Sequence, residues 1–411
     1  ERELLMFQQT GAGIACIDYD LDGRVDFYLG QGSADPPLGQ GTKPNLLSRN
    51  LGDRFSEVTQ MARCDDRNYT CGVTAGDWNQ DGFLDLVVAN LQRNTLYINQ
   101  GDGTFQAHPG DTVWNDEAYT TSVAMADVNG DHLPDIVEVN YLDDPHIFDP
   151  IERDPDGTPI RLPAPLHFQP AADRVFLSRG DGSLSGQVLG DPTKPLPSTG
   201  LGVLITDVDG QTGNEIFIAN DHMANHFWER QRNGESDARW QNTAAARGVA
   251  YGANGAPLGS MGIAAADFDD DGRIDFHVTN FESQWSNHYM QSEAGFFEDL
   301  VVAYGLAKPT YEMVGFGTQA IDYDNNSVID LVIGNGHIDD LTASGKSRFE
   351  MPTQFFGLNQ SQFQPLQVGG DDDYWNAGHL TRALAICDWN RDGRVDMVTT
   401  DLKKPVALLE N

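Results

Sequence analysis

The stretch "DYDLDGRVD", residues 18–26, carries aspartate at its first, third, fifth and ninth positions and glycine at its sixth. Side chains at alternate positions of a tight loop can converge on one centre, and a glycine lets the chain turn sharply. Asp and Asn also stabilise ordinary turns. One copy therefore leaves two interpretations open, an acidic surface turn or a cage for a hard cation.

The pattern occurs seven times. The copies are residues 18–26, 77–85, 127–135, 207–215, 267–275, 322–330 and 388–396. Their mean spacing of about 62 residues is the scale of a supersecondary unit rather than of a domain. A Gly- and Ala-rich apolar segment precedes each copy, and a strand-like run such as "LVVAN" follows it. A further strand and a Gly-Asp hairpin turn often come next, as in "TLYINQGDGTF".

Four short strands in each unit and no helical periodicity predict an all-β fold, a seven-bladed β-propeller of four-stranded blades. Residues 1–411 then form a single domain, because each blade buries its faces on its neighbours. The last unit lacks an outer strand. We expect residues 1–9 to supply it, so that an N-terminal strand closes the last blade and removes an open sheet edge. The alternative is a frayed N-terminus beside a three-stranded blade.

The seven loops predict four to seven bound Ca²⁺ ions. Their carboxylate and amide oxygens, with a backbone carbonyl at position 7, form the all-oxygen shell that Ca²⁺ prefers, whereas softer metals need Cys or His. The loops join strands, unlike the helix-flanked EF-hand loop. Loop 207–215 departs most from the pattern, and whether it and loop 322–330 bind an ion stays open. The predicted ligands are Asp18, Asp20, Asp22, Asp26, Asp77, Asn79, Asp81, Asp85, Asp127, Asn129, Asp131, Asp135, Asp207, Asp209, Glu215, Asp267, Asp269, Asp271, Asp275, Asp322, Asp324, Asn326, Asp330, Asp388, Asn390, Asp392 and Asp396.

The overall charge limits the classes of partner. The chain has 62 acidic and 26 basic residues, a formal net charge of −36. Such a surface repels phosphate backbones and anionic lipid, so we expect no nucleic-acid partner. No apolar run reaches the roughly 20 residues of a membrane helix, so we expect no membrane insertion. Among the four cysteines, Cys64 and Cys71 flank a polar loop and either form a disulfide or stay as two thiols.

Several segments, among them "MGIAAADFDDDGRIDFHVTNF" and "GFGTQAIDYDNNSVIDLVIGNGHIDD", resemble the FG-GAP/VCBS repeat of integrin-α-type propellers. More specifically, the chain is similar to the propeller of the cartilage acidic protein (ASPIC/UnbV) family, bacterial type. The resemblance runs over essentially the whole chain. It implies a secreted or surface-exposed Ca²⁺-binding propeller without a defined catalytic activity. The C-terminal ASPIC/UnbV segment is missing, either because it was removed or because this protein departs from the family pattern.

Three long connections, 32–44, 141–173 and 336–353, fall between the second and third strands of their units. In a propeller they lie opposite the metal loops, and loops of this length are often functional. We expect a binding surface there. His222 and His337, near Asp221 and Asp339 in sequence, are candidate ligand-binding or acid–base residues; the alternative is two histidines that bond local backbone.

These features favour a non-enzymatic module, extracellular, on the cell surface or periplasmic, that binds Ca²⁺ and a protein or glycan partner, as in cell adhesion. Catalysis stays open, because a polysaccharide lyase or hydrolase at the channel mouth is an alternative. A structural subunit of a surface assembly is another. The sequence does not indicate the oligomeric state.

Overall fold

The structure is a computed structural model that describes residues 5–32, 43–109, 118–151, 164–231, 239–293, 295–340, 342, 347–369 and 374–411. It is an all-β propeller. Blade 1 holds β1 (Ile14–Ile17), β2 (Asp26–Leu29), β3 (Leu46–Asn50) and β4 (Phe55–Glu57). Blade 2 holds β5 (Tyr69–Gly76), β6 (Asp85–Gln92), β7 (Thr95–Asn99) and β8 (Phe105–Ala107). Blade 3 holds β9 (Ala118–Ala126), β10 (Asp135–Asn140), β11 (Arg174–Ser178) and β12 (Leu184–Val188).

The other four blades follow a hairpin of β13 (Gly190–Asp191) and β14 (Lys194–Pro195). Blade 4 holds β15 (Gly200–Thr206), β16 (Glu215–Asn220), β17 (His226–Gln231) and β18 (Arg239–Asn242). Blade 5 holds β19 (Ile263–Ala266), β20 (Asp275–Val278), β21 (Asn287–Glu293) and β22 (Phe296–Asp299). Blade 6 holds β23 (Gly315–Ile321), β24 (Asp330–Asn335), β25 (Gln354–Asn359) and β26 (Gln362–Pro365), and blade 7 holds β27 (Thr381–Cys387), β28 (Asp396–Asp401) and β29 (Ala407–Leu409).

Helices are short and lie in connections. In the described residues the α-helices are α1 (Thr59–Ala62), α2 (Ala244–Arg247) and α3 (Ala307–Thr310), and 3₁₀-helices span Met6–Gln9, Pro145–Phe148, Pro165–His167 and Tyr374–Asn376. In the part of the chain that the structure describes, no helix has the length and apolar character to cross a bilayer.

Within each blade the strands pair antiparallel in chain order, and blades 2 and 3 also join where β6 pairs with β9. The second strand of every blade packs between neighbouring strands and neighbouring blades, and all of β6 except its last residue, Gln92, is buried. β10, β16 and β24 are buried along their whole length. Apolar clusters fill the space between adjacent blades; one stacks Phe217 of blade 4 on Phe276 of blade 5, with ring centroids 5.2 Å apart. The core therefore lies between blades.

The first strands of all seven blades surround a central channel of about 300 Å³. Glycines allow these strands to approach closely. A Cβ atom at Gly262 would collide with the carbonyl of Phe316 in the next blade, and one at Gly202 with that of Met261. The Gly- and Ala-rich segments seen in the sequence are therefore the channel-lining strands, and the described blades form one ring.

The prediction of an N-terminal strand that closes the last blade is wrong for the described residues. Residues 6–9 form a 3₁₀-helix whose Met6 and Phe7 are buried against Tyr69 and Tyr141, and β29 is the outer strand of a three-stranded blade 7. Residues 1–4 lie outside the described residues. The apolar side chains of this segment are better buried at the channel mouth than on a sheet edge.

Blade 1 and blade 7 instead meet through packing and hydrogen bonds. Thr400 Oγ1 donates to the carbonyl of Ala12 at 2.7 Å, and Asn50 Nδ2 donates to that of Trp389 at 2.9 Å. Phe55 packs on Trp389 with ring centroids 5.6 Å apart. We call this contact between the first and last blades the seam.

Cys64 and Cys71 are free thiols that lie in two different clusters, so the structure favours two thiols over the disulfide considered from the sequence. Cys64 lies in the apolar cluster around Tyr28 and contacts the carbonyl of Thr59 at 3.8 Å. Cys71 lies in a different cluster at the channel mouth and contacts Thr10 Oγ1 at 3.6 Å.

Candidate metal loops and channel-mouth site

All seven acidic loops join the first strand of a blade to its second strand, as the sequence predicts. Equivalent connections of a propeller share one rim, and contacts between neighbouring loops show this directly. Gln80 Nε2 donates to the carbonyl of His132 at 2.6 Å, and Asn214 Nδ2 donates to that of Asp127 at 2.7 Å. We call this end of the ring the acidic rim.

The loops share a backbone conformation. In six of them positions 4 and 6 are both left-handed, as at Gln80 and Gly82 with φ of 59° and 91°. Loop 207–215 differs, since its left-handed residues are Gly210 and Gly213. The carboxylate at position 1 accepts the backbone N–H groups that this turn presents; Asp77 accepts from Asp81 at 3.0 Å and from Gly82 at 2.9 Å. The glycine of the motif thus serves the sharp turn that the sequence indicated.

Three loops bring three acidic side chains together, with one oxygen of each within 4.8 Å of the others. These groups are Asp18, Asp20 and Asp22; Asp207, Asp209 and Glu215; and Asp267, Asp269 and Asp271. Loop 207–215 therefore has such a cluster although its sequence departs most from the pattern. Among the described residues, the other four loops do not group three acidic or histidine side chains this closely.

Those four loops each carry an asparagine among their predicted ligands, and its amide takes part in the turn. Asn79 Oδ1 accepts the backbone N–H of Asp81 at 3.0 Å while its Nδ2 donates to Asp81 Oδ2 at 2.8 Å. Asn129 bonds Asp131 in the same way, at 2.8 and 3.0 Å. Turn hydrogen bonds thus account for part of the oxygen set in these loops.

The donor set of the first loop fits a hard cation. Asp18 Oδ1 and Asp20 Oδ1 are buried, and neither has a hydrogen-bond partner in the described part of the chain. Buried carboxylate oxygens without a partner are costly, and Ca²⁺ binds such oxygens at 2.3–2.6 Å. Arg49 already offers positive charge here, 2.5 Å from Asp20 and 3.2 Å from Asp22. Burial nevertheless raises the pKa of Asp20, against the lowering effect of Arg49.

Arginines also approach the other two clusters. Arg247 lies 3.8 Å from Asp209, and Arg273 forms an ion pair with Asp271. Burial, followed by the charges of Asp271 and Asp267, raises the pKa of Asp269. Each cluster therefore gathers more negative charge than its arginine neutralises.

The acid at position 9 has a role that the sequence did not reveal. Asp85 Oδ2 accepts the backbone N–H of Trp78 at 3.0 Å, and its Oδ1 accepts that of Asn99 on the third strand at 2.8 Å. Asp135 does the same with Val128 and Ser178, at 3.1 and 2.8 Å. Burial raises the pKa of Asp85 to about 6 and that of Asp135 to about 7. This carboxylate therefore fixes the loop to the sheet, whether or not it also binds a metal.

A residue in or just after the third strand, beside this acid, connects neighbouring blades. In four blades its side-chain amide donates to the position-2 carbonyl of the preceding acidic loop, a second feature missed in the sequence. The pairs are Asn50 with Trp389 at 2.9 Å, Asn99 with Tyr19 at 2.8 Å, Gln291 with Val208 at 2.7 Å and Asn411 with Tyr323 at 2.6 Å. The Asn two residues before the turn glycine, Asn50 before Gly52 and Asn99 before Gly101, was its only sequence signal.

A cavity of about 490 Å³ lies at the channel mouth, on the side opposite the acidic rim. The described parts of two long connections line it, through Tyr141 and Pro165 in one and Ile338 in the other. Most of loop 32–44 lies outside the described residues. Met6, Phe281 and other apolar side chains form much of the remaining wall. Its size and mixed lining are typical of small-ligand sites.

The polar groups of this cavity converge on Asp221. Tyr141 Oη donates to Asp221 Oδ2 at 2.7 Å, and His222 Nε2 lies 3.8 Å from Asp221 Oδ1. Burial raises the pKa of Asp221, while His222 and the hydrogen bond from Tyr141 oppose the shift. A half-buried carboxylate with an imidazole and a phenol at its side can accept hydrogen bonds from a ligand or transfer a proton.

The structure brings the two predicted histidines to one site but gives them different environments. The ring of Phe281 lies between them, 6.2 Å from His222 and 5.4 Å from His337. His222 is about one-third exposed, and its backbone is left-handed, with φ of 58°. His337 is fully buried, accepts the backbone N–H of Asp339 at 2.8 Å and lies 3.4 Å from Glu282. His337 thus bonds local backbone, which is the alternative that the sequence left open for both histidines. Of the two, His222 is the one that lines the cavity.

Arg382, which the sequence did not single out, anchors the inner wall. Its guanidinium donates to the carbonyls of Gln9 at 2.6 Å, Gly336 at 3.1 Å and His337 at 3.3 Å. It also lies over the ring of Phe316, 3.9 Å from the centroid. Burial lowers the pKa of Arg382 to about 9. This side chain ties the N-terminal 3₁₀-helix, blade 7 and the loop after β24 together.

The asparagines at or near the ends of the second strands are scaffold residues that act within their own blade. Asn90 Nδ2 donates to the carbonyl of Arg93 at 2.7 Å, and Asn220 Nδ2 donates to that of Ala224 at the same distance. Asn140, Asn280 and Asn335 make the equivalent bond. They close the connection to the third strand.

A family model described as FG-GAP-like repeat matches residues 18–88 and 77–138. The chain contains FG-GAP-like repeats. The matched residues include the first three acidic loops. No curated protein sequence matches significantly.

Solved structures share the fold. An Agrocybe aegerita lectin, described by its recognition of non-reducing terminal N-acetylglucosamine, is 14% identical with a TM-score of 0.52, over 96% of this chain and 86% of that chain. BBS1N, solved in complex with ARL6DN, is 8% identical with a TM-score of 0.50, over 95% of this chain and 90% of that chain. At these identities the likeness supports the propeller fold alone.

Proposed function

We propose that this FG-GAP-repeat propeller is an extracytoplasmic Ca²⁺-binding module that binds a protein or glycan partner at the channel mouth. The observation that carries the proposal is the arrangement of the two candidate sites. Acidic clusters occupy one rim of the ring, and a cavity with Asp221, His222 and apolar walls lies on the other. Metal at one rim then stabilises the scaffold, while the other rim is left free for recognition.

The metal part of the proposal assigns four to seven Ca²⁺ ions to the loops, with the ligands predicted from the sequence. The partnerless oxygens of Asp18 and Asp20 and the three acidic clusters support it. The resemblance to ASPIC/UnbV propellers supports an extracytoplasmic location, where Ca²⁺ is abundant. Binding to the native state alone adds about 2.7 kcal/mol per site at one hundred times Kd.

The test is Ca²⁺ stoichiometry by calorimetric titration, with melting temperatures in Ca²⁺ and in EGTA. We expect the triple variant Asp267→Asn, Asp269→Asn, Asp271→Asn to bind one ion fewer than the unchanged protein. Asp102→Asn and Asp181→Asn are matched controls, since these exposed acids cap hairpin turns through Thr104 and Ser183. No bound ion at millimolar Ca²⁺, with the same melting temperature in EGTA, would leave the loops as Asx turns.

The recognition part rests on the cavity and, for glycans, on the propeller fold shared with the Agrocybe aegerita lectin. A first probe is a panel of immobilised oligosaccharides that includes terminal N-acetylglucosamine, measured with His222→Asn. Asparagine tolerates the left-handed backbone of His222. His132→Asn is the control, because His132 is left-handed too, with φ of 72°, but lies on the acidic rim. Binding that both variants weaken equally would place the binding surface elsewhere.

A polysaccharide lyase or hydrolase is the second candidate, and one observation favours it. Tyr141, Asp221 and His222 form a connected acid–base group in the cavity, and Arg382 lines the central channel next to it. Incubation with acidic and neutral polysaccharides, followed by assays for unsaturated uronates and new reducing ends, separates catalysis from binding. Reaction products that are absent with the Tyr141→Phe variant would establish catalysis at this site. Polysaccharide binding without any product would instead support the recognition module.

A further inference from the structure

The seam holds two cysteines that are far apart in sequence. Cys16 lies in β1, the first strand of blade 1, and Cys387 ends β27, the first strand of blade 7. Ring closure makes these strands neighbours. Both are free thiols in the structure, as are Cys64 and Cys71, but Cys16 and Cys387 are partly buried and pack on the same seam cluster, which includes Phe27, Leu29 and Val398.

The two strands contact each other, and the Cys16 and Cys387 thiols lie within hydrogen-bonding reach of one another. By contrast, Cys64 and Cys71 belong to separate apolar clusters and have Thr59 and Thr10 as their contacts. Of the four cysteines, Cys16 and Cys387 are therefore the pair that the fold places close enough together for a disulfide bond.

The seam is also where a covalent link has the largest structural consequence. Blade 7 has three strands in the described part of the chain, and no strand from the N-terminal segment pairs with it. Polar contacts hold the two blades together, such as Thr400 Oγ1 to Ala12 and Asn50 Nδ2 to Trp389. A bond between residues 16 and 387 encloses nearly the whole chain, and long enclosed loops restrict the unfolded state most in the chain-entropy model.

We propose that Cys16 and Cys387 form a disulfide that closes the propeller ring covalently. The two thiols lose two protons and two electrons, and one S–S bond forms between them. The oxidant is a disulfide donor, glutathione disulfide or a thiol–disulfide oxidase, whose own S–S bond breaks to give two thiols. The bond replaces the strand that many propellers use for closure, and an oxidising compartment would maintain it.

The experiment uses the full chain, fully reduced and then equilibrated with excess glutathione disulfide. We expect the free-thiol count under denaturing conditions to fall from four to two, a linked peptide pair containing Cys16 and Cys387, and a higher melting temperature that reductant reverses. Cys16→Ser and Cys387→Ser should each abolish that melting shift. Cys64→Ser is the matched control and should retain it.

Four thiols after oxidation, or a linked pair other than Cys16–Cys387, would overturn the proposal. A melting temperature unchanged by the Cys16–Cys387 bond would overturn its role in closing the ring. Since peptide mapping is done on the unchanged sequence, a serine variant that fails to fold does not affect this decision.

Discussion

Replacing His288 by methionine should make the propeller more resistant to acid unfolding. His288 of β21 is fully buried opposite His277 of β20, with ring centroids 6.0 Å apart. The rings of Phe268, Tyr304 and Phe363 surround it, with centroids 4.9, 4.7 and 5.5 Å away. Neither ring nitrogen of either histidine has a hydrogen-bond partner among the described residues. A proton on His288 would thus introduce an unpaired charge between blades 5 and 6.

Burial accordingly lowers the pKa of His288 from 6.5 to about 3. Because the folded pKa is below the unfolded one, the unfolded chain binds the extra proton between these values. The stability is complete above pH 6.5 and is lost as the pH falls toward 3. At about pH 4.5, two units below the ordinary pKa, the loss from His288 is about 2.7 kcal/mol. Burial also lowers the pKa of His277, so a weaker acid sensitivity remains in the variant.

The assay is equilibrium urea unfolding at about pH 7.5 and about pH 4.5, on protein stripped of metal with EGTA at neutral pH and then dialysed into metal-free buffer, because EGTA loses its Ca²⁺ affinity in acid. The quantity of interest is the difference between the two free energies of unfolding, in the original protein and in His288→Met. Packing effects of methionine cancel in this difference. His146→Gln is the control, since His146 is exposed beside Asp149. Equal pH differences in the original protein and in His288→Met would refute the assignment of a charge-excluding site.

Three further predictions concern the loops and the channel wall. Ser327→Gly should raise the free energy of unfolding by ~0.5 kcal/mol, because Ser327 is left-handed with φ of 67°. Gly82→Ala should lower it by ~1 kcal/mol, because Gly82 has φ of 91°, although no atom lies within 4 Å of the added Cβ. Thermal denaturation in EGTA that shows the reverse order would contradict the shared turn geometry. Asp85→Asn should lower the free energy of unfolding by ~1–3 kcal/mol, because an amide cannot replace both carboxylate oxygens that accept the backbone N–H groups of Trp78 and Asn99. The control Asp102→Asn, in an exposed turn, should lower it by less. Equal losses in urea unfolding would argue against the role of Asp85 in fixing the loop to the sheet. Arg382→Met should lower the free energy of unfolding by more than ~3 kcal/mol, because several buried carbonyls lose their hydrogen-bond donor, and Arg382→Lys should restore only part of that loss. A methionine variant as stable as the original protein in urea unfolding would show that the guanidinium does not anchor the N-terminal segment.

The sequence by itself determined what depends on neighbouring residues. The strand–loop–strand unit, its seven copies, the sharp turn at position 6 and the acidity of one rim all follow from contiguous stretches such as residues 18–26. Turn geometry and strand pattern are local, because the residues that set them are within a few positions of one another. The departures in loop 207–215 were visible too, although the acidic cluster that forms there was not.

Only the tertiary structure decided which distant groups meet. Asp85 fixes its loop through Asn99 on another strand, and Tyr141 donates to Asp221 across 80 positions of sequence. The N-terminal segment became a 3₁₀-helix at the channel mouth because ring closure placed a buried apolar surface and Arg382 there. Such contacts exist only after the seven similar blades have closed into a ring in one order. A repeat pattern is nearly the same in every blade, so it does not specify the groups that differ at the seam and at the channel mouth.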